Sequence, residues 1–343
     1  MIFDTHAHYD DRAFDEDREA VLASLHGAGI GAVVDVSASV QSLDRVTALA
    51  DRYDFIYAAV GLHPDEVGQH KVTAGTVPGV TAEEYAAGSH TVTPAVTAEE
   101  YAAGSAEAFV TGLTDGVVSR IRQLLTSPKV VSVGEIGLDY YWDTEPHDVQ
   151  IACFKKQIEI AVDAGKPIIV HSRSAAADTL RVIEAMYGEG RPAAKMAKAE
   201  AERQLAPEEY AVVPGKEWVY RKAVPRGPGA DLPQKGVIHA YAYSPEQAKI
   251  YTEMGFYLGI GGVLTYRNSR KLKKVVSRIP LERLVLETDC PYLTPEPHRG
   301  ERNDSRYLRE VVRAIAEIKE TDEMTVEHVT WENACRLFSI VPS

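Results

Sequence analysis

The residues best equipped for chemistry stand at the start of the chain. Ile2-Phe3-Asp4-Thr5-His6-Ala7-His8 leads from two apolar residues into two histidines one residue apart. Side chains alternate faces along an extended strand, so His6 and His8 point the same way. Two imidazoles on one face can grip a divalent ion from one side. An isolated His-x-His pair is equally well read as the polar start of a surface loop, so the rest of the chain must decide. It supplies His63, Glu135, His171, His239 and Asp289, each following a short apolar run. Seven metal-compatible residues behind six separate runs are hard to assign to accident. Imidazole and carboxylate donors suit Zn2+, Mn2+ or a similar ion such as Mg2+, and do not resemble a Ca2+ cage or a thiolate cluster. A carboxylate such as Glu135 can bridge two ions. A two-metal centre activates water and stabilises charge on a leaving oxygen, which serves phosphoesters, amides and carboxylic esters alike.

The elements that must position these residues follow a simple alternation. After the first strand, residues 15–26 have helical spacing, 30–36 form a continuous apolar run, 42–53 are helical, and 55–60 lead into Gly61-Leu62-His63-Pro64. The order resumes with helix 117–125, strand 129–133, helix 149–164, strand 167–170 and helix 175–187. It finishes with strand 236–238, helix 246–254, strand 256–260, a basic amphipathic helix at 268–278, strand 284–286, and closing helices at 306–319 and 326–338. Eight short apolar strands, nearly all separated by helices, spell a (β/α)8 TIM barrel, an α/β fold. In such a barrel the C-terminal strand ends converge on one face, where the βα loops build the active site.

Two stretches interrupt the pattern without changing the strand count, so residues 1–343 read as one barrel domain with two insertions. Residues 66–114 carry a local duplication, in which Val80-Thr81-Ala82-Glu83-Glu84-Tyr85-Ala86-Ala87-Gly88-Ser89 recurs unchanged at 96–105. Two copies are too few for a solenoid. Residues 188–235 are rich in Ala, Glu, Lys, Pro and Gly; a polar helix is expected over 193–205 and loop over the remainder.

Composition narrows the class. Of 343 residues, 45% are hydrophobic and 25% charged, and the net charge is −13. That charge disfavours broad electrostatic capture of nucleic acid, although bound cations can supply a local positive field. Cys153, Cys290 and Cys335 are far apart and contain no CxxC, which suggests neither a disulfide framework nor a zinc finger. With no signal-peptide pattern and no apolar run of spanning length, a cytoplasmic protein is expected.

The chain resembles the TatD-type metal-dependent deoxyribonucleases, within the amidohydrolase-like barrels. The resemblance runs through Ile2 to His8, Gly61-Leu62-His63-Pro64, Gly134-Glu135-Ile136-Gly137-Leu138-Asp139-Tyr140, Pro167 to Arg173, and Leu284 to Pro291. It spans the chain except for the two insertions. It implies two divalent metal ions held by His6, His8, Glu135, His171, His239 and Asp289, and hydrolysis of DNA phosphodiesters, often from the 3′ end. By role, Asp289 would ligate metal and act as general base, with Glu135 beside it in catalysis, while His63 and Arg173 would contact the phosphate. Glu287 is either an orienting group for a ligand or a strand-end residue paired with a neighbour. Tyr140, Tyr141, Trp142, Tyr241 and Tyr266 are candidates for base stacking, although rim aromatics commonly just cover a barrel mouth. Ala240-Tyr241-Ala242-Tyr243 departs from the Cys-Phe-Ser-Gly-like turn usual after the metal histidine, while the histidine itself is kept. The acidic balance favours short or single-stranded DNA ends as the partner, with no membrane.

Two other readings compete. An amidohydrolase acting on a small amide, lactone or nucleobase would often bridge its metals with a carboxylated lysine at the end of strand four. Here Glu135 holds that position, and Lys129 sits at the strand's start. A non-enzymatic binding protein would use the repeat-bearing insertion as its surface, but nothing damages the ligand set.

Overall fold

The computed structural model describes residues 1–68, 113–188, 194–204, 210–212, 217–221 and 227–340. Eight parallel strands form one sheet: β1 (Ile2–Ala7), β2 (Ile30–Val36), β3 (Ile56–Val60), β4 (Val130–Asp139), β5 (Ile168–Arg173), β9 (Gly236–Ile238), β10 (Tyr257–Ile260) and β11 (Leu284–Leu286). The first and last strands meet where Ala7 bridges Cys290 in parallel register. Asp289 N–H donates to His6 O at 2.9 Å, and Thr5 Oγ1 donates to Leu286 O at 2.9 Å. The sheet therefore closes into a (β/α)8 barrel.

Helices follow the strands, and their ends carry recognisable caps. In α2 (Val40–Arg52), Ser39 and Ser42 form a reciprocal capping box. In α7 (Pro245–Glu253), the Ser244 side chain accepts from Gln247 N–H and Pro245 occupies the first turn. The others are α1 (Arg18–Leu25), α3 (Asp115–Leu124), α4 (His147–Asp163), α5 (Ala176–Tyr187), α6 (Lys198–Gln204), α8 (Arg270–Arg278), α9 (Leu308–Lys319) and α10 (Glu323–Phe338).

Two apolar layers hold the barrel. The outer one lies between sheet and helices. The inner one takes Phe3, Val34, Ala59, Val131, Ile169, Val237, Tyr257 and Val285 from the eight strands, and Leu337 and Phe338 of α10 pack against it. Phe3 lies 5.6 Å from the Trp331 ring and 6.0 Å from Phe338, so aromatic rings of the last helix close the N-terminal end.

Some elements differ from the sequence expectation. β4 continues to Asp139, so Glu135 sits within the strand rather than after it; β5 likewise includes His171 and Arg173. The extension forms because Gly137, Leu138 and Asp139 find ladder partners in His171, Ser172 and Arg173. Gly137 makes that approach possible: its φ is +151°, and a Cβ there would lie 1.9 Å from His171 O. In the second insertion, Ala194–Ala197 is strand β6, and only Lys198–Gln204 of the expected helix is helical. β7 (Tyr210–Val212) and β8 (Trp218–Arg221) add to β6 in an antiparallel three-stranded sheet where loop was expected. Tyr, Val and Trp favour strand geometry, and pairing with a distant segment is not a local signal. The duplicated segment at 80–89 and 96–105 lies outside the described residues. Among the described residues, no helix is long and apolar enough to cross a membrane.

Candidate metal centre

Inward-facing positions change character along each strand. Two residues after the core residues Ile169, Val237 and Val285 come His171, His239 and Glu287. Because strand side chains repeat every two residues, one pleat separates packed core from polar site. Ala59 is followed in the same way by Gly61 and His63.

Glu135 is the hub. Its Oε2 lies 3.3 Å from His6 Nε2 and 3.8 Å from His8 Nε2. Its Oε1 lies 2.7 Å from His171 Nδ1 and 3.8 Å from His239 Nε2. Asp289 closes the first group, with Oδ1 at 3.5 Å from His8 Nε2 and 3.8 Å from both His6 and His239 Nε2. Asp289 adopts φ +58°, a left-handed conformation that Asp tolerates better than most residues. Four donor trios, including His6/His8/Glu135 and Glu135/His171/His239, each place their ligand atoms within 4.8 Å of one another.

The neighbours of these side chains orient them. His8 Nδ1 donates to Val36 O at 2.8 Å, which leaves Nε2 as the nitrogen facing the site. Glu287 Oε1 accepts from Ala240 N–H at 2.6 Å and stands 3.2 Å from His239 Nδ1, off the direction of a hydrogen bond. Gly259 leaves room for this carboxylate, since a Cβ there would meet Glu287 Oε2 at 1.9 Å. Asp139 accepts at Oδ2 from His171 Nε2 at 3.0 Å and at Oδ1 from Tyr141 and Trp142 N–H. Deeper down, buried Asp4 accepts from Thr288 N–H and Oγ1, Ser305 Oγ and His6 N–H, tying β1 to the segment that carries Asp289. Burial pushes the Asp4 carboxyl up to about 7 despite those bonds.

Charges are redistributed across the cluster. Burial lowers the pKa of His8, but Asp289 and Glu135 outweigh it and raise the imidazole to about 10. His239 likewise rises to about 10 through Glu287 and Glu135, and His171 to about 9 through Asp139 and Glu135. Burial would raise Glu135, yet His239, His6 and His171 hold it well below the usual carboxylate range. His6 is lowered by burial and by His239, which stacks on it at 3.6 Å between ring centroids.

The donor set fits divalent ions. His6 and His8 Nε2 approach to 3.1 Å, a spacing a shared cation explains. His6 Nδ1, His239 Nδ1 and Glu287 Oε2 are buried without a hydrogen-bond partner. All seven sequence-nominated donors lie at this end of the barrel. His63 packs edge-on against His171 at 4.3 Å, and burial holds its pKa down at about 3. Its Nδ1 accepts from Asp65 N–H, so its proton rests on Nε2. Arg173 stands at the rim, its guanidinium 4.0 Å from the Tyr141 ring centroid and 5.3 Å from that of Trp142.

The family model for TatD related DNase matches residues 3–339. The chain belongs to this family. A Bacillus subtilis relative, the uncharacterized metal-dependent hydrolase YabD, is 31% identical over 99% of this chain and 100% of its own. The Mycobacterium tuberculosis relative, an uncharacterized metal-dependent hydrolase named TatD, is 28% identical over 99% and 98% of the two chains. The crystal structure of YjjV, a TatD homologue from Escherichia coli, superposes with a TM-score of 0.69 at 24% identity, covering 99% of this chain and 98% of that one. This TatD-family chain is thus a metal-dependent hydrolase with the barrel of its relatives.

Two positioning residues, Asp139 and Asp4, escaped the sequence reading. Asp139 lies four residues after Glu135 on the same strand, so even spacing was the available signal there, whereas Asp4 acts through the backbone N–H groups of His6 and Thr288, which no spacing announces. Of the five aromatic candidates, Tyr141 and Trp142 are exposed beside Arg173, at 58% and 59%. Tyr241 is buried with its hydroxyl on Ser244 O, Tyr140 stacks on His147, and Tyr266 donates to Thr294 O. The last three serve structure, as ring positions fixed by neighbours.

Proposed function

We propose that this chain hydrolyses phosphodiester bonds of DNA at a two-metal centre, removing nucleotides from short or single-stranded 3′ ends. The observation that carries the reading is the division of one carboxylate. Glu135 Oε2 faces His6 and His8, while Oε1 faces His171 and His239. Two donor pockets that share one acid would suit a pair of neighbouring Zn2+, Mn2+ or Mg2+ ions. His6, His8, Glu135 and Asp289 would hold one ion, and Glu135, His171 and His239 the other. When bound, the ions supply Lewis acidity to a phosphoryl oxygen and lower the pKa of water.

The chain's own residues do the rest. Asp289 has Oδ1 turned to the histidines; its carboxylate takes the proton of the attacking water as the P–O bond to the leaving nucleoside oxygen breaks, and that oxygen then receives the proton. His63 donates its Nε2 proton to a phosphate oxygen. Arg173 brings a forked donor to the same group and shields it with the flanking rings of Tyr141 and Trp142. Asp139 holds His171 in orientation through its hydrogen bond, and Glu287 stands beside His239 as a counter-charge.

Lys129 speaks against the amidohydrolase alternative. Its Nζ donates to Tyr53, Asp54 and Ile56 carbonyls at 3.0, 2.8 and 3.0 Å, just before β4 begins and away from Glu135 in mid-strand. The family name points to DNA, and three free cysteines agree with a reducing, cytoplasmic setting. The test strips the protein of metal and restores Zn2+, Mn2+ or Mg2+ in turn. Labelled single-stranded and duplex oligonucleotides are then compared with small amides and lactones. Metal-dependent loss of 3′ nucleotides is expected; hydrolysis of amides or lactones with oligonucleotides untouched would refute the reading.

A further inference from the structure

In a chain of net charge −13, α8 is an island of positive charge. Its sequence, Arg270-Lys271-Leu272-Lys273-Lys274-Val275-Val276-Ser277-Arg278, buries Leu272, Val275 and Val276 against the barrel. Arg270, Lys271 and Lys274 fall within about 100° of arc on the opposite side, and all three are exposed, as is Arg267 just before the helix. Arg278, at the far end, is paired with Glu246 at 3.2 Å. Among the described residues, Arg267, Arg270, Lys271 and Lys274 face no carboxylate within ion-pair distance.

The helix begins at the metal-bearing face. It follows the C-terminal end of β10, and the intervening turn is tied to the loop that carries Asp289. Glu296 N–H donates to Thr265 Oγ1 at 2.8 Å, and Tyr266 hydroxyl donates to Thr294 O at 3.0 Å. Exposed Arg299 of that loop lies over the Tyr266 ring at 4.3 Å, adding a cation where the helix meets the mouth. Nine residues of helix reach about 13 Å, the length of roughly four phosphates at the rise of one strand in a duplex.

We propose that Arg299, Arg267 and the exposed face of α8 form an electrostatic track that carries the backbone of a nucleic-acid strand away from the metal centre. The proposal rests on the phosphodiesterase reading above for its direction, but not for its binding test. A row of unpaired cations on an otherwise acidic molecule localises a polyanion at one flank instead of over the whole surface. A membrane surface is disfavoured, because the apolar face of α8 is already buried and leaves nothing to insert.

The test uses the full-length, metal-loaded protein and its Arg270→Glu/Lys274→Glu variant, both checked for the same circular dichroism and melting temperature. Binding of a long, single-stranded phosphorothioate oligonucleotide is read by fluorescence anisotropy across a salt series. The variant should bind on the order of tenfold more weakly, with a log–log salt slope shallower by roughly 1.4, at about 0.7 for each phosphate no longer neutralised. Cleavage of a dinucleotide, too short to reach α8, should be unchanged. Oligonucleotide affinity and salt slope equal to wild type would overturn the track. So would wild-type binding to phosphatidylserine vesicles and not to the oligonucleotide. If the oligonucleotide binds through α8 and no phosphodiester is cut, the track stands and the nuclease reading falls.

Discussion

The two ends of this barrel are built from the same strands and obey opposite rules. At the N-terminal end, Phe3, Trp331 and Phe338 pack together, and the neighbouring Lys129 spends its Nζ on three backbone carbonyls. At the C-terminal end, imidazoles and carboxylates crowd within hydrogen-bond distance and still leave His6 Nδ1, His239 Nδ1 and Glu287 Oε2 unpartnered. Leaving buried polar groups unpaired costs roughly 1–3 kcal/mol each. The contrast teaches where the fold is held and where it works: one end supplies stability, and the other accepts frustration in order to present ligands.

Substitutions should separate the two ends. Glu135→Ala removes the shared carboxylate, so turnover should fall by at least the ~10²–10³-fold that one preorganised electrostatic contact is worth. Circular dichroism should meanwhile show an intact barrel; unchanged turnover would take Glu135 out of the mechanism. Phe338→Ala at the opposite end should cost about 3–5 kcal/mol in denaturant unfolding, with turnover of the folded fraction preserved. Loss of turnover without loss of stability there would erase the distinction.

Asp139→Asn tests positioning inside the active end. Its carboxylate orients His171, so metal affinity should drop by between about 10- and 100-fold, with thermal stability close to wild type. Tight metal binding retained in this variant would reduce Asp139 to a loop anchor for Tyr141 and Trp142.

A smaller effect is expected from pH. Without metal, the neighbouring carboxylates raise His8 and His239 from 6.5 to about 10 and His171 to about 9. Their stabilisation is therefore complete below pH ~6.5 and lost as pH rises through about 9–10. Glu135 and Asp289 are shifted down, so their contribution is present above the ordinary carboxylate range and fades in acid. Metal needs neutral imidazoles, so its uptake near neutral pH should release protons, measurable with an indicator dye, and its affinity should climb with pH. The alkaline loss of melting temperature should disappear once metal is bound. Proton-free metal uptake would contradict this charge assignment.

Much of this was legible in the sequence because strand periodicity carries it. Apolar runs ending in His171, His239 and Asp289 revealed both the barrel and the face on which donors gather. Strand ends were less legible. Glu135 lies inside β4 because pairing with β5 extends the strand, and that pairing depends on Gly137 admitting His171 O, a close approach between residues 34 positions apart. Asp139 and Asp4 went unread because a carboxylate that orients a ligand looks, in sequence, like any other acid. The small sheet of β6, β7 and β8 formed in a stretch rich in helix formers, because β8 pairs both with its neighbour β7 and, across the intervening helix, with β6.

Metal content decides the central claim. Purified protein, stripped with chelator and re-equilibrated with Zn2+, Mn2+ or Mg2+, should retain divalent ions through gel filtration, and Glu135→Ala should lose them. Wild-type protein that retains no divalent metal, or a Glu135→Ala variant that holds as much as wild type, would show that the acids and imidazoles of this face do not share an ion.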